Sequence, residues 1–356
     1  MSVQSDTVST PPRHGADLAA ASRRYGIPLS DWLDLSTGIN PCAYPVGTID
    51  AAAFQHLPFD DLELREAAKA YCGAPMLPIA AAGSQVLIQW LPLVRTQLAK
   101  TTGRIAVPSI GYSEHAFRWR WAGHDVVEYD PRQPAAIDDL LRREAVDVLV
   151  VINAHNPLGL MTAPEQILAW HEWLAQRDGW LIVDEAFIDP TPEFSVIEHT
   201  RRPGLIVLRS LGKFFGLAGV RCGFAFCADD LAERLRVAVG PWSVAGPTLT
   251  LATRALRDTA WQINMRATLH AISAINAQQL QKKFPQTLLS HGLFNSVILP
   301  PDVAIACEDQ LARAGIRVRR VEVDKAESLL RFGLVDPAHI SAWQRFDNAL
   351  QKLGKS

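Results

Sequence analysis

The sequence is short of the features that mark several protein classes. Its five cysteines (Cys42, Cys72, Cys222, Cys227 and Cys307) are odd in number and form no C-x-x-C pair, which argues against a disulfide framework and a zinc site. No apolar stretch approaches the length of a membrane span. The residues from Met1 to Arg13 are polar and rich in Ser, Thr and Pro, without the apolar core of a secretory signal. Neither sign of charge dominates: 35 Lys and Arg against 37 Asp and Glu leave a formal charge of -2. No basic stripe offers itself to nucleic acid or to an anionic membrane. A cytoplasmic protein that handles a small molecule is expected, with residues 1–12 forming a disordered tail.

What is present is an ordinary globular composition, 48% hydrophobic and 20% charged over 356 residues, enough for a large core and two lobes. Continuously apolar runs of strand length recur at Arg104–Pro108, Val146–Asn153, Trp180–Asp184 and Leu205–Arg209. Strands of this kind are covered on both faces, as in a mainly parallel sheet. Helical stretches lie between them, such as Ala163–Arg177 with Pro164 and Glu165 in its first turn. The alternation predicts an α/β fold, its large domain spanning residues 46–245. After Pro241 one long helix is expected from about Gly246 to Lys283. Beyond it, strands near Ser296–Leu299, Ile316–Arg319 and Leu329–Phe332 and a helix near Cys307–Ala314 form a smaller α+β domain within residues 246–356. Residues 13–45 are expected to pack with it.

Ligands of an open parallel sheet bind beyond the carboxyl ends of its strands. Here those ends carry a distinctive set: His155-Asn156-Pro157-Leu158-Gly159, Asp184-Glu-Ala-Phe187, and Ser210-Leu-Gly-Lys213 followed by Gly216-Leu-Ala-Gly-Val-Arg221-Cys-Gly223. Upstream, Gly83-Ser84-Gln85 opens a helix, offering free amides and a positive dipole end to a phosphate. Singly, these are bland. Gly83-Ser84 reads as a turn and cap, Asn156-Pro157 as a turn, Asp184 as a cap, Tyr112 as a core side chain, and an isolated lysine as a solvated charge.

In this order and spacing they resemble the fold type I aminotransferase superfamily of pyridoxal-phosphate (PLP) enzymes, over nearly the whole chain. The resemblance implies that Lys213 carries the cofactor as a Schiff base and that Asp184 pairs with the ring nitrogen. By the same resemblance Asn156 bonds the ring hydroxyl, and Tyr112 stacks on the ring. Ser210, Arg221 and the Gly83-Ser84-Gln85 amides hold the phosphate, and Arg331 grips a substrate carboxylate. The family forms homodimers, and a dimer is expected here. Two positions depart from its pattern: Phe187 stands where relatives often have Tyr, and Leu57 stands where many have a Tyr that reaches the neighbouring subunit. His155 reads as a structural loop histidine.

Within the superfamily, His14-Gly15-Ala-Asp-Leu18, Asp34-Leu-Ser-Thr-Gly-Ile-Asn-Pro41, Gly111-Tyr-Ser-Glu-His115 and Asp184-Glu-Ala-Phe-Ile-Asp189 are most similar to the threonine-phosphate decarboxylases of cobalamin biosynthesis. That resemblance implies loss of CO2 from L-threonine O-3-phosphate to give (R)-1-amino-2-propanol O-2-phosphate. Histidinol-phosphate aminotransferases share every cofactor residue and remain the alternative. A substrate phosphate needs a second anion site, for which His14, Gly15 and Asn40 are the candidates. Arg317, Arg319 and Arg320 read as a solvated strand face.

Overall fold

The computed structural model describes residues 17–58, 61–143, 146–285 and 288–354. The expected tail, together with His14 and Gly15, lies outside the described residues.

A seven-stranded sheet forms the large lobe. Its order is Ile79–Ala81, Gly223–Phe226, Leu205–Ser210, Trp180–Asp184, Val148–Ile152, Arg104–Pro108, Asp125–Tyr129. Neighbours are parallel except the two pairs made by Gly223–Phe226, which runs against both of its partners. The apolar strands divide strictly by alternation. Leu149, Val151, Leu181, Val183, Leu205 and Val207 enter one core, whereas Val148, Val150, Ile182, Ile206 and Leu208 enter the other. Both faces are therefore covered. The helix Pro164–Ala175 buries Ile167, Trp170 and Leu174 on the first face, and Ser84–Ala99 buries Leu87, Ile88, Leu91 and Val94 on the second.

The smaller lobe is a four-stranded antiparallel sheet ordered Arg319–Glu322, Ser328–Gly333, Phe294–Leu299, Leu288–His291, backed by the helices Pro301–Arg313 and Ile340–Lys352. The N-terminal segment joins it: Leu33–Asp34 pairs with Ile316–Arg317, and Tyr25 donates to Asp309 at 2.9 Å. The single long helix expected after Pro241 is two helices, Gly246–Arg257 and Thr259–Lys283. Asp258 divides them because its carboxylate caps the second, accepting from Trp261 N at 3.0 Å. The expected Ile316–Arg319 strand is likewise split, with Val318 turned into the small-lobe core between two short strands.

Candidate active site

Sheet register assembles the first half of the site. Gly223 faces Ser210 on one side and Ala81 on the other. A Cβ there would lie 2.2 Å from Ser84 N, so only glycine lets the three chains meet. Gly83 adopts φ 90°, and a Cβ on it would meet the Arg221 guanidinium at 2.5 Å. Ser84 begins the helix Ser84–Ala99, so its amide and that of Gln85 belong to the first turn, where N–H groups have no intrahelical acceptor. Together with Ser210 and Arg221, this is an anion cradle.

Two turns beyond the sheet complete it. Lys213 follows Ser210, with Nζ 3.4 Å from Thr37 O and 5.2 Å from the centre of the Phe187 ring. Burial first, then the charge of Arg331, pushes its amine down to about 8, while Asp184 pulls the other way. Asp184 is buried at the end of its strand, and Oδ1 accepts from Ala186 N at 3.1 Å. Its Oδ2 lies 2.9 Å from His115 Nε2. His115, itself buried on the helix Glu114–Trp121, is a functional residue that sequence reasoning missed. Its place three residues after Tyr112 in Gly111-Tyr-Ser-Glu-His115 was the available signal.

The opposite wall comes from the small lobe and the N-terminal segment. Arg331 is buried, donates to Asn156 Oδ1 and to Ser36 O, and keeps one buried nitrogen, Nε, without a hydrogen-bond partner among the described residues. Burial and neighbouring Arg319 hold its guanidinium down to about 10, so it stays charged at neutral pH. Arg319 stands directly across the strand pair from Arg331 and lines the same cavity. This corrects the expected solvated face. Arg317 and Arg320 do pair at the periphery with Glu308, at 3.0 and 2.9 Å, but Arg319 points into the site.

Asn40 does not behave as expected. Its amide donates to Phe214 O and its Oδ1 accepts from Cys42 N, both at 2.8 Å, while its backbone N donates to Lys213 O at 3.1 Å. With its side chain turned to backbone, Asn40 braces the Lys213 turn. His155 is buried outside the cavity lining, its imidazole pushed down to about 4 by burial. Phe187 leaves no hydroxyl at its position; its ring packs against Gly38, where a Cβ would come within 3.1 Å. Leu57 is exposed.

The cavity between the walls has a volume of about 540 Å³ and is lined by Lys213, Asp184, Tyr112, Asn156, Arg221 and Arg331 among others. It suits a cofactor and small substrate. An amine of lowered basicity, a buried carboxylate and a glycine-built phosphate cradle, all at strand ends, fit pyridoxal phosphate. These features define a PLP-dependent enzyme of fold type I.

Comparison with known proteins places the chain further. It belongs to the class I and II aminotransferase family, whose model matches residues 51–342. It is 44% identical to a threonine-phosphate decarboxylase of Pseudomonas aeruginosa, covering 95% of this chain and 96% of that one. It is 35% identical to one from a Sinorhizobium species, covering 93% and 96%. Among solved structures, a histidinol-phosphate aminotransferase of Sinorhizobium meliloti in complex with pyridoxal-5'-phosphate superposes with a TM-score of 0.80 at 17% identity, covering 99% of both chains.

Proposed function

We propose that the protein is a PLP-dependent decarboxylase that converts L-threonine O-3-phosphate to (R)-1-amino-2-propanol O-2-phosphate. One observation carries the reading beyond cofactor chemistry: three guanidinium groups, Arg221, Arg331 and Arg319, line one cavity. A phosphorylated amino acid beside this cofactor brings three anionic groups, namely the cofactor phosphate, the α-carboxylate and the substrate phosphate. Each anionic group then has one guanidinium. Histidinol phosphate, which has no carboxylate, leaves one arginine unmatched in its own half-reaction. The names of the Pseudomonas and Sinorhizobium relatives agree with the decarboxylase.

The Ser84 and Gln85 amides, Ser210 and Arg221 would hold the cofactor phosphate, with Asp184 opposite the ring nitrogen and Asn156 beside the ring hydroxyl. When bound, pyridoxal phosphate supplies an electron sink for the pair released as the bond from Cα to the carboxylate breaks. His115 fixes the Asp184 carboxylate in place, so the charge opposite the ring is oriented before substrate arrives. Arg331 receives the α-carboxylate in its fork, with Asn156 limiting its rotation. Arg319 takes the substrate phosphate. Lys213, with an amine that titrates near pH 8, donates the proton that Cα takes up in place of CO2.

We place the enzyme in the cytoplasm as a homodimer. All five cysteines are free, in keeping with a reducing compartment. No helix among the described residues is long and apolar enough to cross a membrane. Val46, Phe54, Leu57 and Trp242 are each at least 48% exposed, and a second subunit would cover exposed apolar side chains of this kind.

The deciding experiment measures CO2 release from threonine phosphate, unphosphorylated threonine and histidinol phosphate. Release from threonine phosphate, with the cofactor returning to its starting spectrum, is expected. Stoichiometric conversion to pyridoxamine phosphate without CO2 would replace the decarboxylase with an aminotransferase.

A further inference from the structure

Behind the cofactor wall, Glu114 is buried at the first position of the helix Glu114–Trp121. Its Oε2 accepts from Gln85 Nε2 at 2.5 Å and from Arg118 Nε at 2.9 Å. The other end of the Gln85 amide, Oε1, accepts from the Tyr112 hydroxyl at 2.9 Å. Both Gln85 and Tyr112 line the cavity.

Donor and acceptor rules give this chain a direction. A carboxylate paired with a guanidinium accepts hydrogen bonds and donates none, so it must face the NH2 end of Gln85. The amide oxygen then faces Tyr112, which can only donate to it. The phenol proton is thereby committed to Gln85, and the ring is held in one orientation. Burial, then the charges of Glu114 and Asp184, pushes the phenol up to about 12, which keeps its proton available for this bond. The residue after Glu114 is His115, which holds Asp184. Two adjacent residues on one helical turn thus brace two different groups of the cofactor wall, Gln85 and Asp184. The Tyr112 and His115 rings meet edge to face with centroids 6.2 Å apart.

We propose that Glu114 is a positioning residue that acts through Gln85 to fix the Tyr112 ring against the cofactor. The proposal rests on the reading that pyridoxal phosphate binds in this cavity. It assigns Glu114 no contact with substrate. Its work is to make one of the two Gln85 amide orientations the only satisfied one.

The test uses the holoenzyme and reads the visible circular dichroism of the bound cofactor, which reports the asymmetry of its surroundings, together with kcat and KM for threonine phosphate. Glu114→Gln removes the acceptor-only group, so either amide orientation of Gln85 can be satisfied. The dichroism band should weaken, and kcat should fall about 10- to 100-fold for a misplaced reacting group, with KM nearly constant. Gln85→Leu cuts the same chain while leaving the Glu114–Arg118 pair whole, and should reproduce the loss should Glu114→Gln fail to fold. In a Tyr112→Phe background the hydroxyl is already gone, so either substitution should change kcat by less than about twofold, the coupling expected of residues acting in series. A wild-type band in Glu114→Gln or in Gln85→Leu, or losses that multiply with that of Tyr112→Phe, overturns the proposal. A wild-type protein that neither binds the cofactor nor releases CO2 would instead remove the functional reading beneath it.

Discussion

The two walls of the cavity are built by different means. The cofactor wall hangs from the parallel sheet: Ser84, Asp184, Ser210 and Lys213 lie at or just beyond the ends of strands whose register is fixed by two buried cores. The substrate wall is an antiparallel pair in the small lobe, where Arg319 and Arg331 face each other across a hairpin, joined by the backbone of Ser36 from the N-terminal segment. The first wall stands on strands buried on both faces of the sheet. The other depends on contacts between segments nearly 300 residues apart in sequence, such as Arg331 with Ser36 O. On the proposed assignment, cofactor chemistry belongs on the first wall and substrate recognition on the second, where a side chain is changed without touching the cofactor's contacts.

The sharpest way to break that division is at Lys213. Lys213→Ala should lower kcat by roughly a hundred- to ten-thousand-fold or more, since on the proposed assignment it removes the proton carrier as well as the cofactor's covalent anchor. Asp184 keeps its His115 partner when the amine is deleted, so the unfolding midpoint should be largely retained. The wild-type apoprotein adds a pH signature. Burial disfavours the ammonium form, so the fraction of free amine, and with it the rate of cofactor capture, should increase as pH rises through about 8. Stopped-flow capture rates that are flat between pH 7 and 9.5 would contradict the burial of Lys213.

A smaller, more selective effect is expected on the other wall. Arg331→Lys keeps the charge but loses the fork, and should raise KM roughly 10- to 100-fold for phosphorylated and unphosphorylated threonine alike. Arg319→Gln should weaken threonine phosphate by about tenfold while leaving unphosphorylated threonine nearly unchanged. Equal losses on both substrates from Arg319→Gln would remove that residue from phosphate binding and merge the two arginines into one site.

The same division explains what could be read in the sequence. A buried parallel strand announces itself as an apolar run, and the group that ends it is adjacent in sequence, so Asp184, Ser210 and Lys213 were visible as motifs. The strands Arg104–Pro108 and Trp180–Asp184 match their expected limits residue for residue. Arg319 was misread because Arg317, Arg319 and Arg320 look alike in sequence; only the pairing of Arg319 with Arg331, and of its two neighbours with Glu308, separates them. Asn40 was misread for the complementary reason. Its segment matched a substrate-binding stretch, but an amide this close to the Lys213 turn finds backbone partners first. His115 and Glu114 were hidden because a polar residue opening a helix is ordinarily a capping or solvated group, and their partners lie 69 and 29 residues away.

The smallest predicted effect concerns how the walls are held together. Arg132, in the loop after the edge strand Asp125–Tyr129, is gripped by both Asp130 oxygens and donates to Glu327 Oε2 at 2.7 Å. Glu327 ends the turn that joins the two strands carrying Arg319 and Arg331, and Asp324 orders that turn by accepting from the backbone of Ala326 and Glu327. The ion pair is therefore a tie between the large lobe and the hairpin of the substrate wall. Its members are partly exposed, which limits the contribution to about 0–1 kcal/mol at moderate salt. Glu327→Gln should raise KM for threonine phosphate about two- to threefold with kcat unchanged, and the difference from wild type should fade as added salt screens the pair. A fall in kcat instead would mean that the hairpin helps to place the reacting bond, and the separation between the two walls would then be less complete than their construction implies.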